Sequence, residues 1–170
     1  MLQRGDLPAG FGEPVGQRKG SNIYNVAYLR LQALTAQDFS RANLLGIVAN
    51  VGIYQDGAEA FTQFEAQGGL TQESVEKEMK DTAANATDIS ASTIDVKLDG
   101  TNRMVSFRVA YTAGNVHVIG YRYRFTVTNA VANVFVISRV ASLNAEPAEL
   151  RDDARDIALR QVNRLLAARN

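Results

Sequence analysis

The residues with the greatest chemical capacity in this chain are a single histidine and a short run in which arginine alternates with tyrosine. His117 is the only histidine, and Arg122 and Arg124 alternate with Tyr121 and Tyr123 in "GYRYRF". An imidazole serves as a general base when a nucleophile or carboxylate stands within hydrogen-bond reach. No local motif supplies one, so a half-buried histidine near a hairpin end is the simpler reading. With Asp95 or a tyrosine as its partner, His117 would instead make a small cone-shaped hydrolase or isomerase, in a cavity lined by Tyr121, Tyr123 and Phe125. Arginines beside aromatic rings can hold phosphate or stack on bases. Successive residues of a strand face opposite ways, however, so the arginines and the tyrosines lie on different faces and form no joint stacking platform. Arg108, on the preceding strand, is expected on the arginine face. Arg108, Arg122 and Arg124, with Tyr121 and Tyr123 nearby, are the candidate ligand-binding residues, and an anion is the ligand they suit. The competing account is a solvated or helix-facing arginine row paired with carboxylates such as Asp95.

Composition removes several other chemistries. The chain has 170 residues and no cysteine, which excludes disulfides, thiol catalysis and thiolate metal sites. One histidine makes a zinc site improbable, and no cofactor or metal is expected. Lysine plus arginine equals aspartate plus glutamate at 18 each, so no net field draws the chain to nucleic acid or anionic lipid. No apolar run reaches the length of a membrane-spanning helix. The N-terminus lacks the basic segment and apolar core of a signal peptide, which leaves either a cytoplasmic protein or one whose targeting segment has been removed.

Hydrophobic period sets the elements that must position these side chains. Ile23 to Leu31 and Leu44 to Gln55 read as strands, and Ile94, Val96 and Leu98 as a third. Asp56 and Glu59, at capping-box spacing, open a helix that Gly68-Gly69 ends. A more polar helix runs from Thr71 to about Ala84, with Glu73/Lys77 and Glu76/Lys80 at i,i+4. Val105, Phe107, Val109 and Tyr111 alternate before "AGN". A three-residue loop there pairs Tyr111 with His117, Val109 with Ile119, Phe107 with Tyr121 and Val105 with Tyr123. That register puts apolar residues opposite one another and is the one expected. Asn129-Ala130 turns into "VANVFVISRVASL", apolar on both faces and so expected to be covered on both. From Pro147 onward Leu150, Ala154, Ile157, Ala158, Val162, Leu165 and Leu166 form the apolar stripe of a long C-terminal helix.

These elements predict an α+β fold: an antiparallel sheet of five to six strands, a meander in its C-terminal half, packed against helices. Residues 1–20, rich in glycine and proline, read as a linker leading into a single domain over 21–170. They contain Arg4-Gly5-Asp6, known as an adhesion tripeptide, here taken as the junction from which Leu7 and Phe11 tuck against the sheet.

The order "DLPAGF", strand, strand into "DGAEAFTQFEAQ", hairpins "MVSFRVAYTAGNVHVIGYRYRF" and terminal helix "ARDIALRQVNRLLAAR" resembles small extracytoplasmic bacterial domains, lipoprotein or sensor-type, with a PsbP-like architecture. The resemblance implies a secreted or surface-anchored, non-enzymatic binding or interaction domain for a small molecule or protein, with no catalytic residues to transfer. The alternatives are the His117 enzyme above and an assembly domain that recruits a partner through its sheet edge.

Overall fold

The computed structural model describes residues 1–35, 37–39, 42–66, 70–82 and 85–168, and for 17–19 the backbone alone. The strands are β1 (Gly16–Lys19), β2 (Ile23–Leu29), β3 (Asn43–Ile53), β4 (Ala86–Thr93), β5 (Arg103–Ala113), β6 (Val116–Val127) and β7 (Ala130–Val140). The helices are α1 (Gly57–Ala66), α2 (Gln72–Thr82) and α3 (Leu150–Ala167). All neighbouring strands are antiparallel, in the order β1-β2-β3-β7-β6-β5-β4. The fold is α+β, and the sheet has seven strands rather than five or six.

The chain leaves β3, runs through α1 and α2 to the far edge at β4, and returns by the meander to lay β7 beside β3. That path puts the two short helices on one face of the sheet. α3 covers the other, burying Leu150, Ala154, Ile157, Ala158 and Val162 against Ile47, Val134, Val136, Tyr123 and Phe125. On the first face Val75 and Met79 of α2 pack on Ala91, Phe107 and Val109, and Ala60 and Phe64 of α1 pack on Val131. The capping box holds: Asp56 Oδ1 accepts from the Glu59 N–H at 2.8 Å, and Glu59 reaches back to the Gln55 N–H at 2.7 Å. Gly68-Gly69, expected to stop this helix, lies outside the described residues, as does Ala84.

Three expectations need correction. The β5–β6 hairpin has a two-residue loop, pairing Ala113 with Val116, Thr112 with His117, Arg108 with Tyr121 and Phe107 with Arg122. Gly114 supplies the left-handed φ of +62° at the first loop position, where a II′ turn requires it. A three-residue loop matches the apolar faces of the two strands. In a sheet covered on both sides that match loses its force, since each face has its own apolar cover. Second, β4 is the serine- and threonine-rich Ala86–Thr93, whereas Ile94–Leu98 follows it outside the sheet, tied by the Ile94 N–H to the Ser106 carbonyl at 3.0 Å. Third, the domain does not start at 21: Gly16–Lys19 pairs with β2, while Leu7 and Phe11, as expected, are buried, together with Leu2, in the α3-side core. The Leu2 N–H donates to Gln161 Oε1 at 2.8 Å, and the Asp6 carboxylate is gripped by Arg164 at 3.0 Å.

Candidate functional site

Register across the middle of the sheet brings together four polar residues from distant parts of the chain. Asn25 pairs with Asn50, Asn50 with Asn133, and Asn133 with Arg124, so one row on the α1–α2 face runs Asn-Asn-Asn-Arg across β2, β3, β7 and β6. The next row, Ala27, Val48, Phe135 and Arg122, is apolar until it reaches its own arginine. The two guanidiniums thus stand side by side on the face that the short helices pack against, α1 on β6 and β7 and α2 on β4.

Both arginines are buried, at 8% and 4% exposure, although each carries a charge. Arg122 donates Nε to Asn133 Oδ1 at 3.1 Å and Nη1 to Glu78 Oε2 at 2.8 Å. Glu78, on α2, is half exposed and closes one side. Arg124 donates Nη2 to the Phe64 carbonyl at 2.9 Å and lies over the Phe64 ring, 5.2 Å from its centroid. Burial pushes the Arg124 pKa down, and Arg122 beside it adds to the effect. Around these groups lies a cavity of about 230 Å³, lined by Asn50, Tyr54, Glu78, Arg122, Arg124 and Asn133 among others. Its charged lining is two cations against one carboxylate. The Asn50 amide has no hydrogen-bond partner among the described residues, so the cavity offers donors and an acceptor as well as charge.

A larger, open recess of about 810 Å³ lies between Phe61, Arg103, Asn102 and Asn129. Two of its amides are committed to the fold, Asn102 Oδ1 to the Thr128 N–H and Asn129 Nδ2 to the Tyr54 carbonyl. It is the lesser candidate for that reason.

The suspected residues divide between the two faces. Arg122 and Arg124 share the cavity; Arg108, Tyr121 and Tyr123 are on the α3 face, which corrects the placement of Arg108 with the other arginines. Arg108 Nε donates to Glu146 Oε2 at 2.6 Å and the Tyr121 hydroxyl donates to the other oxygen of the same carboxylate. Burial, then the hydrogen bond to Glu146, pushes the Tyr121 phenol well above its usual range. Tyr123 stacks on Tyr121 with centroids 6.5 Å apart, and its hydroxyl is buried with no hydrogen-bond partner among the described residues. These aromatic residues and Phe125 are core under α3, and none of the recesses described is lined by them.

His117 is half-buried at the hairpin end, Nδ1 lying 3.2 Å from Thr112 Oγ1. Asp95 sits near Ser106, six residues along β5 from Thr112, or roughly 20 Å away at ~3.4 Å per residue. Asp95 is exposed and bonds Arg151 through its carbonyl, so neither the His117 pairing nor the arginine pairing expected of its carboxylate forms. Asn25, Asn50, Asn133, Glu78 and Glu146 were missed by sequence reasoning. An asparagine in an apolar strand run was the one available mark for the first three. Among the described residues no cluster of three or more histidines or acids could hold a metal, and no helix is long and apolar enough to cross a membrane. No protein-family model matches the chain, and no curated protein matches it.

Proposed function

We propose that this chain is a non-enzymatic binding domain that holds a small anionic ligand in the cavity lined by Asn50, Glu78, Arg122, Arg124 and Asn133. The observation that carries the reading is the pair of buried guanidiniums facing one cavity with a single carboxylate between them. A buried charge is costly unless paired, and a cavity lined by two guanidiniums and one carboxylate favours an anion. The amides of Asn50 and Asn133 would orient it, in the manner of small-molecule sites that add a few polar groups to a largely preformed concavity. An extracytoplasmic location belongs to the same reading and rests on the resemblance in element order alone.

The test is a panel of small carboxylates and phosphates titrated into isotopically labelled protein, followed at the asparagine side-chain amides and arginine Nε groups. Saturable shifts at Asn50, Asn133 and Arg122 are expected for at least one anion, and Arg122→Gln should abolish them. Shifts confined to the α3 face, or none at the cavity with any anion, would overturn the reading.

A further inference from the structure

The open recess beside Phe61 is built from two parts of the chain that meet at the end of the sheet. The start of α1 supplies Gln55, Asp56 and Phe61, and the facing wall carries Asn102, Arg103 and the β6–β7 turn. That wall is fixed. Asn102 donates its N–H to the Thr126 carbonyl at 2.9 Å and accepts from the Thr128 N–H at 2.9 Å, and the Arg103 N–H donates to Thr126 Oγ1 at 3.1 Å. Gly57 lets α1 close on the turn, since a Cβ there would stand 3.2 Å from the Thr128 carbonyl oxygen. Thr128 holds a φ of +52° at the first position of a two-residue loop, where glycine is the usual residue and a β-branched one is an outlier. Backbone outliers held in this way gather at ligand sites, and Thr128 lines the recess.

The groups not used by that wall share one chemistry. The Arg103 guanidinium has no hydrogen bond or ion pair among the described residues and lies over the Phe61 ring, 5.2 Å from its centroid. The ring itself stays 40% exposed. The Gln55 amide and Asn102 Nδ2 are also without a partner among the described residues, and Asp56 gives one carboxylate oxygen to the α1 cap. The lining holds one cation and one carboxylate, Arg103 against Asp56, so a charged ligand of either sign meets a like charge and a neutral one does not. We infer that this recess is a second binding site, for a neutral polyhydroxylated ligand, a saccharide. Guanidinium, amide and carboxylate are planar groups that each offer paired donor or acceptor positions, and adjacent sugar hydroxyls, which both donate and accept, match them in pairs. The Phe61 ring supplies apolar surface against which the C–H face of a pyranose leaves water. At about 810 Å³ the recess is within the size range of small-molecule sites. It shares no lining residue with the Arg122–Arg124 cavity, so the two readings stand or fall separately.

Methyl glucoside, methyl galactoside, N-acetylglucosamine, cellotriose and maltotriose, with acetate and choline as charged controls, are titrated into isotopically labelled protein and followed at the Gln55 and Asn102 side-chain amides and Arg103 Nε. At least one saccharide is expected to give saturable shifts there, about tenfold tighter than either control, with Asn133 and Arg122 unmoved. Arg103→Gln and Phe61→Ala, both at exposed positions, should each weaken that saccharide about fivefold while circular dichroism shows the fold intact. Acetate or choline binding the recess as tightly as the best saccharide would sink the ligand class. Saccharide shifts confined to Asn133 and Arg122, shifts that survive both substitutions, or none with any saccharide would remove the site.

Discussion

Glu146 ties the loop before α3 to the sheet, and its removal is the sharpest test of how the α3 face is held. Its carboxylate accepts from the Tyr121 hydroxyl through one oxygen and from Arg108 Nε at 2.6 Å through the other. Tyr121 is 3% exposed, so Glu146→Ala strands its hydroxyl away from water, at a cost of about 1–3 kcal/mol. Arg108 is about one-quarter exposed and retains the Leu143 carbonyl at 3.3 Å, so losing the ion pair adds only about 1 kcal/mol after solvent screening. The Ala variant should therefore lose about 2–4 kcal/mol, which for a chain of this length lowers Tm by about 5–15 °C. Glu146→Gln keeps an acceptor for the tyrosine and gives up the charge, so it should lose about 1 kcal/mol. Urea unfolding followed by circular dichroism, with unchanged m-values, reads both. Two variants within about 0.5 kcal/mol of the parent would refute the latch. Equal losses for Ala and Gln would show that the ion pair, and not the buried hydroxyl, dominates.

Glu78→Gln should cost under about 1 kcal/mol of stability, because Glu78 is half exposed, and should tighten a small carboxylate about fivefold by releasing Arg122 Nη1; calorimetric titration with acetate checks it, and unchanged or weaker binding counts against the anion site. Burial pushes the Asp6 carboxyl up, but the Arg164 hydrogen bonds and the Gln3 N–H outweigh it and hold the pKa below the usual range. A depressed carboxyl stabilises the fold above its unfolded pKa, so the stability gap between the parent and Asp6→Asn should be constant near neutral pH and close as pH falls below about 4. A gap that widens on acidification, in urea melts across that range, contradicts the assignment. Gly120→Ala should lose about 1–3 kcal/mol, since its Cβ would stand 2.9 Å from the Val136 carbonyl oxygen as well as against the Phe135 ring; a neutral melt would mean that the close approach of β7 at Gly120 relaxes without cost.

The long elements were legible in the sequence because their signals are local. The alternation through Val105–Tyr111, the stripe from Leu150 to Val162 and the Asp56/Glu59 cap each lie within one element, and each appears as expected. What failed depends on pairing. Shifting the β5–β6 loop from three residues to two moves Arg108 to the opposite face from Arg122, and nothing within either strand chooses between the two. β4 was missed for the opposite reason: "ATDISAST" has little apolar alternation, and it forms because the edge of β5 and the Glu76 carboxylate, which accepts from the Ala91 N–H at 2.9 Å, hold its backbone. The asparagine row could not be read at all. Asn50 and Asn133 become neighbours only through the β3–β7 pairing, across a connection that carries two helices and three strands.

The place of the row beside the short helices explains why it can exist. Under a helix a sheet face must be apolar or completely paired, and in open water a guanidinium gains little from any one partner. Arg122 and Arg124 stand at the boundary between these regimes, desolvated enough for a carboxylate to matter and open enough for one to arrive. Stability alone gives a weak reason for them, since well-packed apolar residues often replace buried ion pairs without loss. Phe107 and Val105, directly across β5 from the two arginines, already supply apolar packing for α1 and α2, and leucine or methionine at 122 and 124 would extend it. Two charges kept where packing does not require them, facing one cavity, make that cavity the place where a ligand would complete the fold.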